Sequence, residues 1–329
     1  MTRTLSPRPA SGKEFGLSLV EVMVTLAIGM IVTLGILGVV GLNQQNLRIT
    51  ESLSESQENA RMAFELMARD IRQARDTSCG PIASSKVTSL GAQDAGAGTW
   101  WGSWVPIRGF ARNTASNAVA FGSAQSARVS DTEALQLQGT SDLALIKNFE
   151  STSKVILKTS DHTLAVNDIV VMCDLENASL HRVTAVSGSA VSFAPPIVIS
   201  SADNPQFQIA RRTAVTWYIG NNARQGENGR SLYRTRHTRN GVLTEEILPG
   251  VAEINLQYLL KGGAKADAAT ASAFNDAALD TITAVELNLT TESTHANVAA
   301  DTSTENGLVG SDGRLRRNHS YVIALRNTL

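Results

Sequence analysis

Residues 22–42, VMVTLAIGMIVTLGILGVVGL, carry no charged side chain, and the residue just before them is a lone carboxylate, Glu21. Counted from Leu17, the stretch would span roughly 39 Å as an α-helix, more than the ~30 Å hydrocarbon core of a bilayer. Segment 17–42 therefore has to lie in lipid or against other apolar surfaces, and only the chain beyond it can build a water-soluble domain. Arg3, Arg8 and Lys13, opposed by Glu14, precede it. Positive charge on that side keeps the N-terminus cytoplasmic and sends the remainder outward. A secretory signal peptide also starts basic and then apolar, but its apolar region is shorter and a small-residue cleavage site follows it. Val39-Val40-Gly41-Leu42-Asn43 offers no such site.

The octet Gly16-Leu17-Ser18-Leu19-Val20-Glu21-Val22-Met23 resembles the cleavage and methylation motif of type IV prepilins and pseudopilins. In that family a membrane aspartyl peptidase, the prepilin peptidase, cuts after the glycine and methylates the new amine. The resemblance implies a leader of residues 1–16 ending at Gly16, Leu17 as the N-methylated mature N-terminus, and Glu21 as the fifth mature residue. Phenylalanine is commoner at the first mature position, so Leu17 is a mild departure. Glu21 also calls for a physical account of its own, because a carboxylate in a membrane helix costs about 2.5 kcal/mol or more and usually has a partner. A free Leu17 amine, one turn earlier or on a neighbouring parallel helix, is a candidate, and that pairing would set axial register in a bundle. A glutamate snorkelling to the membrane edge is the alternative. Gly29, Gly35, Gly38 and Gly41 miss the GxxxG spacing; they loosen the helix, which favours bending when it moves from lipid into a packed filament.

After Leu42 the chain turns polar without a break, and no proline or glycine occurs from Asn43 to Ser78. Leu53, Ala60, Phe64, Met67, Ile71 and Ala74 recur at three-, four- and seven-residue steps, the stripe of an amphipathic helix. Glu58, Arg61, Glu65, Arg69 and Arg72 occupy its other faces. The pattern predicts one helix from about residue 17 to about 76, stopped at Cys79-Gly80-Pro81. Residues 17–42 would be its transmembrane or filament-core part, 43–78 the amphipathic part, and 79–329 a β-rich periplasmic or extracellular domain. A membrane helix followed by a separate amphipathic one is the alternative.

Beyond residue 82 short apolar runs alternate with turn residues, which predicts strands. These are Glu133–Gln138, Lys154–Lys158, Asp168–Cys173, Leu180–Val186, Ala190–Ala194, Ala214–Ile219, Ser231–Arg236, Val242–Leu248, Ala252–Leu260, Thr281–Leu289 and Tyr321–Arg326. Ser187-Gly188-Ser189 and Asn240-Gly241 read as hairpin turns. Ser84–Gly98, Gly262–Asp280 and Thr291–Gly313 read as loops by composition. The expected fold class is α+β, a long N-terminal helix packed on an antiparallel sheet, pilin-like. Cys79 and Cys173 are the only cysteines. In an exported chain they are expected to pair, closing a long loop, with two buried thiols as the alternative.

Three further blocks narrow the resemblance. Ala60-Arg61 with Ala68-Arg69-Asp70-Ile71-Arg72-Gln73-Ala74 is similar to the post-membrane segment of PilW-type minor pilins. Trp217-Tyr218-Ile219-Gly220, Ser231-Leu232-Tyr233-Arg234 and Glu245-Glu246-Ile247-Leu248-Pro249-Gly250-Val251 resemble that family's central region, and Tyr321-Val322-Ile323-Ala324-Leu325-Arg326-Asn327 its closing strand. The resemblance implies a subunit that primes or caps a type IV pilus in adhesion, twitching motility or DNA uptake. Its partners would be other minor pilins, the major pilin, the inner-membrane assembly platform and a tip adhesin. It would sit in the inner membrane as a single-pass protein before assembly and on the cell surface afterwards. A J-type pseudopilin of type II secretion, or a single-pass protein with a periplasmic binding or enzymatic domain, are the rival readings.

Little else points to chemistry. The formal net charge of -1 argues against a general nucleic-acid binder. His162, His181, His237, His295 and His319 are scattered, lack metal-ligand spacing and read as surface residues. Ser151-Thr152-Ser153-Lys154 matches SxxK without the accompanying elements, and 301–307 is a poor calcium loop, its glycine one place late. Arg230, Arg234, Arg236 and Arg239 flank one hairpin, with Arg234 and Arg236 on the same face. Charge guarding a solvated edge strand is the ordinary explanation, and a DNA-contacting patch the other. No catalytic residue, cofactor or metal is expected.

Overall fold

A computed structural model describes residues 18–326 apart from 81, 92–99, 175, 198–206, 225–228, 269–275, 297, 299–308 and 311. Gly16 and Leu17 lie outside the described residues, as do Pro81 and the 301–307 segment. The chain divides into two compact units, Met1–Thr50 and Glu51–Leu329. One helix, α1 (Leu19–Gln73), begins in the first and ends in the second.

In the first unit α1 has no buried face: residues 18–44 are all exposed, Leu19, Met30 and Ile31 by 75%, 68% and 70%. Thr25 Oγ1 donates to the Glu21 carbonyl and Thr33 Oγ1 to the Gly29 carbonyl, at 2.9 and 2.7 Å. Those hydroxyls are thus satisfied within the helix.

In the second unit the same helix acquires a face. Ser56, Ala60, Ala63, Met67, Ala68 and Ile71 are buried, four of them small enough to bring helix and sheet backbones close. Phe64, from the predicted stripe, is half-buried and stacks on Tyr321 at 4.3 Å. The helix stops at Gln73, short of the predicted end. Ala74 forms a β-bridge to Gly139, the Arg75 N–H bonds to the Gln138 carbonyl at 2.9 Å, and Arg75 takes a left-handed φ of 68°. A Cβ at Gly139 would collide with the Gln73 carbonyl, so only glycine lets the helix end come so close. The buried Arg75 guanidinium pairs with Asp280 at 3.0 Å, and Asp280 also accepts from the Ser84 N–H and hydroxyl. Tertiary contacts therefore end the helix before the Cys-Gly-Pro signal does.

The larger sheet has ten strands: β1 (Val87–Thr88), β2 (Ile107–Phe110), β3 (Ala134–Ser151), β4 (Lys154–Leu157), β5 (Ile169–Cys173), β6 (Ala178–Ser187), β7 (Ala190–Ala194), β8 (Gln208–Asn221), β9 (Arg230–Thr238) and β10 (Gly241–Pro249). Along the path β3-β4-β7-β6-β5-β8 neighbours pair antiparallel, and β8 returns to β3, which closes a six-stranded barrel. Val155, Val170, Met172, Val183, Val191, Phe193 and Ile209 share its core. The second sheet is β12-β11-β13-β14, from β11 (Val251–Leu260), β12 (Lys265–Asp267), β13 (Ile282–Glu292) and β14 (Arg316–Ala324). Met67 and Ile71 of α1, Leu135 and Trp217 of the larger sheet, and Ile254 and Leu287 of the smaller one share a single core.

The α+β class holds, and the two predicted hairpins form, with Gly188 and Gly241 at φ 59° and 111°. The single sheet does not: there are two, and one closes on itself. The cause is the length of β3 and β8, read from sequence only as 133–138 and 214–219. Their ends beneath α1 are apolar, but Gly139–Ser151 and Gln208–Thr213 carry glycine, Asp142 and two arginines and continue into the barrel. The register shifts between Ser141 and Ala144, where Asp142 has φ 53°; such a bulge bends a strand out of a flat sheet. The predicted Gly262–Asp280 loop contains β12 and a helical turn, Asp276–Leu279.

Cys79 and Cys173 are bonded, with Cα atoms 6.0 Å apart across 94 residues of sequence. They join the segment after α1 to barrel strand β5. Replacing both by serine should destabilise the outer domain by about 4–5 kcal/mol on the chain-entropy account. Denaturant titration of the variant against the oxidised parent measures this, and a change under ~1 kcal/mol would show that the barrel is held without the bond.

Candidate functional site

Two features of the described residues stand out: the bare stem with Glu21 in its first turn, and an arginine-lined cleft where β8 changes partners. Glu21 is exposed, and its carboxylate has no side-chain partner among the described residues. A methyl group added at Gly29, Gly35, Gly38 or Gly41 would meet nothing within 4 Å, so no packing inside this chain calls for glycine there.

The hairpin arginines do not guard an edge. β10 is the edge strand and β9 lies between it and β8. Arg234 and Arg236 do share one face, turned to α1, opposite Trp217 and Val215. Asp70 of α1 accepts from Trp217 Nε1 at 3.0 Å and pairs with Arg234 at 3.9 Å. Arg234 and Arg236 both reach Glu245 of β10, at 3.3 and 3.1 Å, and the Arg234 guanidinium lies 5.4 Å from the Trp217 ring centre. Burial raises the Asp70 carboxyl, while Arg234 and the Trp217 N–H pull it back. Arg230 instead donates to the Ala252 carbonyl at 3.2 Å.

On one side β8 pairs with β3 along most of its length. On the other it pairs with β5 up to Arg211 and with β9 from Val215, so Arg212, Thr213 and Ala214 face neither strand. A cleft of about 480 Å³ opens at this gap. Arg69, Arg211, Arg212, Arg234, Arg236 and Arg239 line it, along with His237 and the acids Asp70 and Asp168. Arg239 bridges to Asp168 at 3.2 Å, and Arg211 pairs with Asp142.

Not all histidines are on the surface. His181 is buried, its ring nitrogens within 2.7 Å of the Ser179 hydroxyl and 2.6 Å of the Pro195 carbonyl. His237 stacks against Trp101 at 4.4 Å, and burial together with Arg212 and Arg182 lowers its pKa to about 4. His319 is half-buried beside the Thr291 hydroxyl, and burial lowers its pKa. Ser151 and Lys154 of the SxxK match flank the β3–β4 turn, where Lys154 pairs with Glu150 at 2.5 Å. Among the described residues no group of His, Cys, Asp and Glu is arranged to hold a metal. The sequence reading missed Asp70, Arg211 and Arg212; the available signal was Arg211-Arg212 inside a β-forming run, which a strand started at Ala214 left out.

Because the folded chain resists protonating His237, the neutral ring contributes stability that is full above about pH 6.5 and lost as pH falls through about 4. His237→Gln should therefore gain stability relative to the parent between pH 7 and pH 4, and denaturation midpoints across that range measure it; parallel curves would contradict the assignment. No protein-family model matches the sequence, and no curated protein is significantly similar to it.

Proposed function

We propose that this chain is a minor pilin of a type IV pilus: cut after Gly16, N-methylated at Leu17, and inserted through segment 17–42 into the filament core to prime or cap assembly. One observation carries the reading. α1 is exposed and apolar through residue 42, then forms the buried spine of a β-rich domain, all without interruption. The stem is long and apolar enough to cross a membrane. A helix exposing that much apolar surface needs lipid or like helices around it, and a filament subunit meets both in turn. Glu21, unpartnered among the described residues, suits the register role that the leader motif implies. The unfilled space beside the stem glycines suits close approach of a second helix.

On this reading the domain sits on the periplasmic side before assembly and on the surface afterwards, and its work is structural, without a catalytic residue. Its partners are other minor pilins, the major pilin, the prepilin peptidase, the assembly platform and a tip adhesin. The arginine cleft favours a second reading, a single-pass protein whose outer domain binds a ligand.

Mass spectrometry of the mature chain separates the two: N-methyl-Leu17 is expected, whereas a retained Met1 or a cut beyond residue 40 would end the filament reading. Glu21→Ala should leave the outer domain folded by circular dichroism while lowering filament incorporation about tenfold or more, at least 1.4 kcal/mol of assembly energy.

A further inference from the structure

Four arginines of the outer domain are almost fully buried: Arg75, Arg128, Arg212 and Arg314. Three have matched partners. Arg75 pairs with Asp280; Arg128 donates to the carbonyls of Thr114, Phe110, Ala111 and Thr132; Arg314 bonds the carbonyls of Ser293 and Thr294 and pairs with Asp312. Arg212 is different. It is 5% exposed, and its one side-chain hydrogen bond among the described residues is a long 3.4 Å contact from Nη2 to the Ser103 carbonyl. Its Nε and Nη1 have no partner, and no carboxylate pairs with it among the described residues. A buried guanidinium left uncompensated is strongly destabilising, so such groups are normally paired.

The place where this happens is not random. Arg212 lies at the gap between β5 and β9 and lines the cleft there. Around it Arg69, Arg211, Arg234, Arg236 and Arg239 have four carboxylates between them, Asp70, Asp142, Asp168 and Glu245. Six guanidiniums against four carboxylates leave two positive charges in excess. A cleft of about 480 Å³ has the size of a small-molecule site.

We propose that this cleft binds a compact tetrahedral dianion, a phosphate or sulfate group free or on a small molecule, with Arg212 as its buried anchor and Arg236 and Arg239 at its mouth. The guanidinium fork offers paired N–H donors matched to oxyanion geometry, and a double negative charge cancels the local excess. Two macromolecular alternatives fit less well: a DNA duplex follows an open basic surface rather than a cleft this small, and a peptide carboxylate would leave one charge unmatched.

The test uses the full chain in detergent micelles, with melting followed as chloride is replaced by inorganic phosphate, sulfate or pyrophosphate at constant ionic strength. A saturable rise in melting temperature is expected, as for any ligand that binds only the folded state. Arg212→Gln should remove the response, and without ligand it should melt no lower than the parent, since it deletes an unpaired buried charge. Arg236→Gln and Arg239→Gln, at half-exposed positions, should each shift the midpoint concentration by about tenfold or more, the equivalent of 1.4 kcal/mol; they carry the test if Arg212→Gln does not fold. Arms with glycerol phosphate and glucose sulfate separate phosphate from sulfate sources. The proposal fails if no anion gives a saturable shift, if Arg212→Gln responds like the parent, if both mouth variants do, or if short duplex DNA binds while all the small anions are inert. None of these outcomes bears on how the N-terminus is processed, so this site stands or falls apart from the filament reading.

Discussion

The buried face of α1 between Ser56 and Ile71 is the surface on which the outer domain is organised. Met67 and Ile71 share one core with Leu135 and Trp217 of the larger sheet and Ile254 and Leu287 of the smaller one. Full burial of such side chains contributes about 1.5–3 kcal/mol each. The alanines between them matter through what they lack, since larger side chains at positions 60, 63 and 68 would hold the sheets off. Polar ties then fix rotation about the helix axis: Ser56 to Thr291 at 2.6 Å, Asn59 to the Pro249 carbonyl at 3.1 Å, and Asp70 to Trp217 at 3.0 Å. These reach β13, the β10–β11 corner and β8, so a rotated helix would break all three.

The end of the helix is fixed in a similar way. Within a few residues of Gln73 the chain bridges to β3 through Ala74, to Asp280 through Arg75 and to β5 through the Cys79–Cys173 bond. The larger sheet, at two strands, and the turn that leads into β13 are thereby tied to one short segment.

The cleft follows from a topological conflict along β8. One edge of that strand serves β3 along most of its length; the other serves β9 beneath α1 and β5 in the barrel. A flat sheet and a barrel curve differently, so the two partners separate where they meet. The three residues between them form the floor of the gap. Arginines with long apolar stems can cover such a floor and still present charge. Six of them line it, one without a paired carboxylate among the described residues.

The sequence alone determined the stem, the acid at its start, the amphipathic stripe, most strands and two hairpins. Each is written in local periodicity or in a turn residue such as Asn240-Gly241, and local backbone physics suffices to read it. It also presented Arg211-Arg212, but not their importance, because nothing local says which arginine will find a carboxylate. Only the tertiary structure decided that β3 and β8 run on into a closed barrel, that α1 stops at Gln73, that His181 and His237 are covered, and that Arg234 and Arg236 sit on the inner strand β9, paired with Glu245 and, for Arg234, with Asp70 of α1, rather than on an edge strand. The reason is the same in each case: pairing between strands far apart in sequence fixes which neighbours a residue has, and a polar side chain's burial and partners follow from those neighbours.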